Sequence, residues 1–168
     1  DPFLLGISGG AGLGAAIATA IGANFTIGGL SGMPLFAFAG AMCAILLVYL
    51  CWFALDFLIH NIILADSYAA TAQFWRPMEE MKIGLMQVVS IVAASVFVLI
   101  YALWFKEHSV ASGLKYGLLY GIGGGIGMGY GMYSVMPIPY ILAITWFLGT
   151  VVETTAAGLI TALVVKRT

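Results

Sequence analysis

The stretch PLFAFAGAMCAILLVYLCWFALDFLIH, residues 34–60, decides the fold. It carries no charge before Asp56, and the uncharged run in fact begins at Pro2. About 20 apolar residues cross the hydrocarbon core of a bilayer, so this run exceeds what one span needs. Asn, Gly and Pro cluster between Asn24 and Pro34 (NFTIGGLSGMP), which predicts a break there. Helix A is therefore expected over 3–23 and helix B over 34–64. Helix A is rich in glycine, which lowers helix propensity by about 1 kcal/mol per residue relative to alanine, so a re-entrant or surface segment is the alternative.

Working outward, the most polar stretch is ADSYAATAQFWRPMEEMK, residues 65–82. Trp75 beside Arg76 and Pro77, followed by Glu79 and Glu80, predicts a segment lying along the membrane interface. Helix C is expected over 83–104, helix D over 114–136 up to Pro137-Ile138-Pro139, and helix E over 140–165. The sequence thus predicts an all-α, polytopic transmembrane helical bundle with four or five spans. Residues 1–33 form a glycine-rich N-terminal segment and residues 34–168 a four-helix bundle.

Composition points the same way. Of 168 residues, 62% are hydrophobic and 8% charged, against about 25% charged in soluble domains. A folded globule in water needs more polar skin than this. A net charge of −1 offers no basic field for nucleic acid, which is excluded as a partner. Cys43 and Cys51 sit on one helix roughly 12 Å apart and cannot bridge. No positively charged flank precedes the first apolar stretch, so no intact signal peptide is expected. Lys106, Lys115, Lys166 and Arg167 on one side outnumber Arg76 and Lys82 on the other, which predicts a cytoplasmic C-terminus.

Glycines recur four residues apart in helix D, at Gly113, Gly117, Gly121, Gly125 and Gly129, with a second row at Gly123, Gly127 and Gly131. Helix A repeats the pattern with Gly6, Gly10, Gly14, Ala18 and Gly22. Residues four apart share a face, and side-chain-free faces let helices approach closely in lipid. Each row packs helices within the chain or meets another chain. The rows together exceed what a small bundle needs, so some of this surface is expected to meet a second copy or another membrane protein.

Two carboxylates lie within the apolar helices, where a charge costs about 2.5–3.5 kcal/mol on insertion scales. Asp56 has His60 one turn on along the same face, and Glu153 sits between Gly149 and Ala157. Asp56, His60 and Glu153 are candidate proton stations or metal ligands; the plainer reading is a buried pair and a locally bonded acid. The G-x-G-x-x-G in helix D has no preceding strand and is not a dinucleotide site. No Ser-His-Asp arrangement has a scaffold, and His108 reads as a loop residue. No cofactor and no resident metal are expected. Helices A and D, each glycine-striped before a proline break and a carboxylate-bearing helix, hint at an inverted repeat.

The segments LDFLIHNIILADSYAATAQFWRPMEEM (55–81), LKYGLLYG (114–121) and MPIPYILAITWFLGTVVE (136–153) resemble an uncharacterised family of small bacterial four-helix integral membrane proteins, a domain of unknown function. The resemblance runs from about Leu47 to the end. It implies a four-helix bundle in the bacterial inner membrane and supplies no activity. Three functions follow as expectations. The first is a non-enzymatic membrane subunit associating through glycine-lined faces, as a homo-oligomer or as an accessory chain of a larger, for instance energy-transducing, complex. The second is a small proton- or ion-coupled transporter or channel using Asp56, His60 and Glu153. The third is an intramembrane metal-dependent enzyme.

Overall fold

The computed structural model describes the backbone of residues 26–27 and 30–165, and side chains from 39 to 165. Helix A, with Gly6, Gly10, Gly14, Ala18 and Gly22, lies outside the described residues, as do Lys166 and Arg167. A two-residue antiparallel pair, β1 (Thr26–Ile27) and β2 (Leu30–Ser31), precedes an otherwise helical chain. Helix α1 spans Gly32–Asp56 and continues as a π-helical stretch, Phe57–Ile63. A short helix α2 (Ala65–Ala70) and two 3-10 turns (Ala72–Phe74, Met78–Glu80) fill the polar segment. Then come α3 (Ile83–Trp104), α4 (Val110–Ile126) with its π-helical continuation Gly127–Gly131, α5 (Met132–Val135) and α6 (Tyr140–Val164).

Among the described residues, three helices are long and apolar enough to cross a membrane: Ala39–Ile63, Ile83–Trp104 and Tyr140–Val164. The chain itself buries only 17%, 17% and 33% of their apolar windows. Leu46, Leu50, Phe53, Leu85, Val89, Val92 and Leu148 all face outward. Such a surface needs a hydrocarbon solvent, which places the protein in a membrane. The glycine-rich helix differs from the other three. Its continuous α part is 17 residues, and the ladder changes to π and back before the prolines end it.

This helix also begins four residues ahead of the expected Leu114. Ser109 accepts from the Ser112 amide while the Ser112 hydroxyl takes the Ser109 amide, a reciprocal cap that starts the helix at Val110. Ser109→Ala removes a cap of the kind worth about 1 kcal/mol. The expected outcome is a lower thermal midpoint in detergent with no change in helix content by circular dichroism.

The bundle is built around α6, which packs along α4 on one side and α1 on the other, while α3 packs on α1. Tyr116 of α4 closes the ring by donating to the Phe97 carbonyl of α3 at 2.9 Å. The main core gathers Ala44, Val48, Phe97, Val98, Tyr101, Tyr116 and Ala157. A second cluster joins Ile59, Leu64, Ile138, Leu142 and Trp146 with Tyr68, Phe74 and Trp75 of the polar segment. That segment therefore folds back onto the end of the α4–α6 hairpin. Several hydroxyls inside the apolar layer are bonded within the bundle. Tyr49 of α1 bonds Gln87 of α3, and Thr150, Thr154, Thr155 and Thr161 return their hydroxyls to carbonyls one turn back.

The glycine row 113–129 faces α6 of the same chain. A Cβ at Gly113 would overlap the Gly158 carbonyl, at Gly117 the Thr154 carbonyl, and at Gly129 the Ala143 carbonyl. Gly158 meets Gly113 in return. This register runs antiparallel, as the short Met136–Pro139 connection requires. The second row differs: among the described residues, nothing lies within 4 Å of such a Cβ at Gly123 or Gly127, nor at the neighbouring Gly124, and at Gly131 it would meet only the Ile126 carbonyl at 4.0 Å; all four are on the outer surface.

Candidate functional site

Asp56 ends α1, and the ladder then widens from α to π geometry through His60. Such π turns recur at functional positions in helices. His60 Nε2 stands 3.7 Å from Asp56 Oδ1, within ion-pair reach but beyond a hydrogen bond. Glu153 arrives from α6. The Trp52 indole N–H donates to the Glu153 carbonyl at 3.1 Å and fixes the level at which α1 and α6 meet. One turn further along α1, Asp56 faces the same cavity as Glu153.

Glu153 Oε1 is buried and finds no hydrogen-bond partner among the described residues. A lone carboxylate oxygen out of water is costly, and a proton held by the pair removes that cost. The pair opens onto a cavity of about 220 Å³, lined also by Ile59, His60, Met128, Thr145, Trp146, Gly149 and Thr150. This is room for several water molecules. Its walls include both π-helical stretches, through Ile59 and His60 on one side and Met128 on the other.

No protein-family model, curated protein or solved structure matches this chain. The chemistry of the site must be read from its own geometry.

His60 leads away from the carboxyl pair. Its Nδ1 is 2.6 Å from the Tyr68 hydroxyl, and the two rings stack at 5.8 Å between centroids. The Trp146 indole N–H donates to the same hydroxyl at 2.8 Å. Indole nitrogen can only donate, so the Tyr68 oxygen accepts from Trp146, and the phenol hydrogen is available to His60 Nδ1 in the tautomer that leaves this nitrogen bare. In that tautomer neutral His60 carries its hydrogen on Nε2, the nitrogen that faces Asp56. Trp75 packs edge-on against both Tyr68 and Trp146, and its N–H is held by the Thr71 hydroxyl at 2.9 Å. Burial pushes the Tyr68 phenol above its ordinary pKa; the Trp146 hydrogen bond opposes this and the nearby Asp56 adds to it. Tyr68 therefore stays a neutral phenol across the physiological range.

The structure thus brings Asp56, His60 and Glu153 to one place. Among the described residues, no three His, Cys, Asp or Glu side chains converge as a metal-ligating group. Trp75 is half-buried in the aromatic cluster, whereas Arg76, Glu79 and Glu80 remain exposed at the polar end. Sequence reasoning missed Tyr68, Trp146, Met128, Thr145 and Thr150. The one available signal for Tyr68 was a phenol eight residues after His60, in a segment too polar to stay in lipid.

Proposed function

We propose that this chain is a small proton-translocating membrane protein in which Asp56, His60 and Glu153 pass protons along the junction of α1 and α6. The observation that carries this reading is the convergence of two carboxyls from separate helices on one cavity, beside an imidazole, in an otherwise uncharged apolar layer. Each intramembrane charge opposes insertion by about 2.5–3.5 kcal/mol, and a packing role alone would be served more cheaply by apolar side chains. Chains of Asp, Glu and His are the means by which protons cross such layers. In this reading the glycine-rich helix is a fourth span, as the family resemblance implies, and residues 3–23 are a fifth. The location is the bacterial inner membrane with the C-terminus in the cytoplasm.

The test is proton flux into liposomes holding the purified full chain, driven by a potassium diffusion potential and read with a trapped pH dye. The wild-type protein acidifies the lumen, and Asp56→Asn slows this by about a hundredfold, the lower range for a positioned proton-transfer group. A wild-type rate equal to that of empty liposomes overturns the reading.

A second reading rests on the outer glycine row. Gly123, Gly124 and Gly127 offer a bare backbone surface that meets nothing among the described residues, and such surfaces favour helix association in lipid. Here the chain is a membrane subunit that pairs with a second copy or another membrane chain. Native mass in mild detergent checks it: a dimer that Gly127→Leu dissociates supports it, and a strict monomer contradicts it.

A further inference from the structure

We infer that Tyr68 is the gate by which protons reach His60 from the water on the side of residues 65–82. The inference rests on the proton-translocation reading and adds its direction and its first station. Tyr68 stands where the polar segment folds back on the bundle, and its neighbours Asp66, Ala69 and Ala70 are exposed while its own ring is half-buried. Its oxygen joins the segment to both sides of the site, through His60 Nδ1 at 2.6 Å and Trp146 Nε1 at 2.8 Å.

The transfer balances as a concerted shift. One lone pair of the Tyr68 oxygen holds the Trp146 N–H, and the other takes a proton from a hydronium ion on the water side. The original phenol hydrogen moves to His60 Nδ1, so one O–H forms on Tyr68 as another breaks. The Nε2 hydrogen of His60 passes to an ionised Asp56 carboxyl, so one N–H forms as another breaks. Tyr68 and His60 end neutral, one water remains outside, and Asp56 holds the proton. The 3.7 Å between Nε2 and Asp56 closes by rotation of the two side chains or through a water in the cavity. His60 is left as its other tautomer and turns its ring before the next transfer. Trp146 and Trp75 hold the phenol in line throughout.

The groups facing the Tyr68 phenol are His60 and Asp56 from α1 and its continuation, with the non-titrating Trp146 from α6 and Trp75 and Thr71 from its own segment. Changing the phenol's acidity without removing the ring therefore isolates its role. Two variants are measured in the liposome assay beside Asp56→Asn. Tyr68→Phe keeps the ring packing and is expected to slow flux by at least about tenfold, within the reach of a lost proton-transfer group. Tyr68→3-fluorotyrosine keeps the hydroxyl and the fold but makes the phenol more acidic, and is expected to move the pH profile of flux to lower pH. A structural tyrosine would not shift that profile. Wild-type flux in Tyr68→Phe, or an unmoved profile in the fluorinated protein, overturns the gate. If Asp56→Asn also conducts normally, the proton pathway itself falls; if only the Tyr68 variants are silent, protons reach Asp56 by another route.

Discussion

Glu153→Gln protein, reconstituted in liposomes, passes protons about a hundredfold more slowly than wild type, the loss expected when a positioned proton carrier is removed. The substitution keeps the shape and the hydrogen-bonding capacity of the side chain while removing its ability to hold an exchangeable proton. The helix junction should survive, because the Trp52 N–H is anchored on the Glu153 backbone carbonyl and not on its side chain. The amide keeps the size of the carboxyl, so the bundle is expected to match wild type in helix content and thermal midpoint. The double variant Asp56→Asn with Glu153→Gln is expected to be no slower than either single one. Residues that act as one unit lose their function together, and their effects do not add. Full flux in Glu153→Gln would mean that the acid on α6 serves packing alone.

The second large effect concerns stability. Gly117→Val is expected to prevent the α4–α6 hairpin from closing. The added atoms meet the Thr154 carbonyl and the Thr155 Cα, which are backbone atoms of a helix and cannot swing aside. Overpacking costs typically about 1–3 kcal/mol where side chains can adjust, so a site walled by backbone lies at or above the top of that range. The expected result is loss of a monodisperse peak after detergent extraction. Gly123→Ala, on the outer row of the same helix, is the matched control. Among the described residues nothing lies within 4 Å of its new methyl, and alanine favours the helix by about 1 kcal/mol. Its thermal midpoint is expected to rise. Equal behaviour of Gly117→Ala and Gly123→Ala would contradict this packing.

The two glycine rows show what the sequence can and cannot convey. Both have the same four-residue period, so periodicity alone gives no reason for one row to be buried and the other bare. The choice is made by α6, where Ala143, Thr150, Thr154, Gly158 and Ala162 present small side chains or bare backbone opposite Gly129 through Gly113. The span of α3 was legible because Lys82 and the polar run after Trp104 bracket it. The start of α4 was not, because its cap uses Ser112 where a Glu or Gln is the usual sign.

Asp56 and Glu153 stood out as acids in an apolar chain, and His60 by its helical spacing from Asp56. Their meeting across two helices could not be read from either helix. Tyr68 was hidden for a different reason. Its segment is polar enough to lie along the surface, and only the packing of Tyr68, Phe74 and Trp75 on Ile138, Leu142 and Trp146 turns it back onto the bundle. The two π-helical stretches leave no mark in composition, since they arise where the helix adjusts to its neighbours.

Infrared spectroscopy of the protein in bilayers at neutral pH addresses the central claim directly, because a protonated carboxyl absorbs apart from a carboxylate. A single proton held between Asp56 and Glu153 predicts a protonated-carboxyl band in the wild type that is lost in both Asp56→Asn and Glu153→Gln. A wild-type spectrum with ionised carboxylates alone, or a band that survives both substitutions, would contradict it.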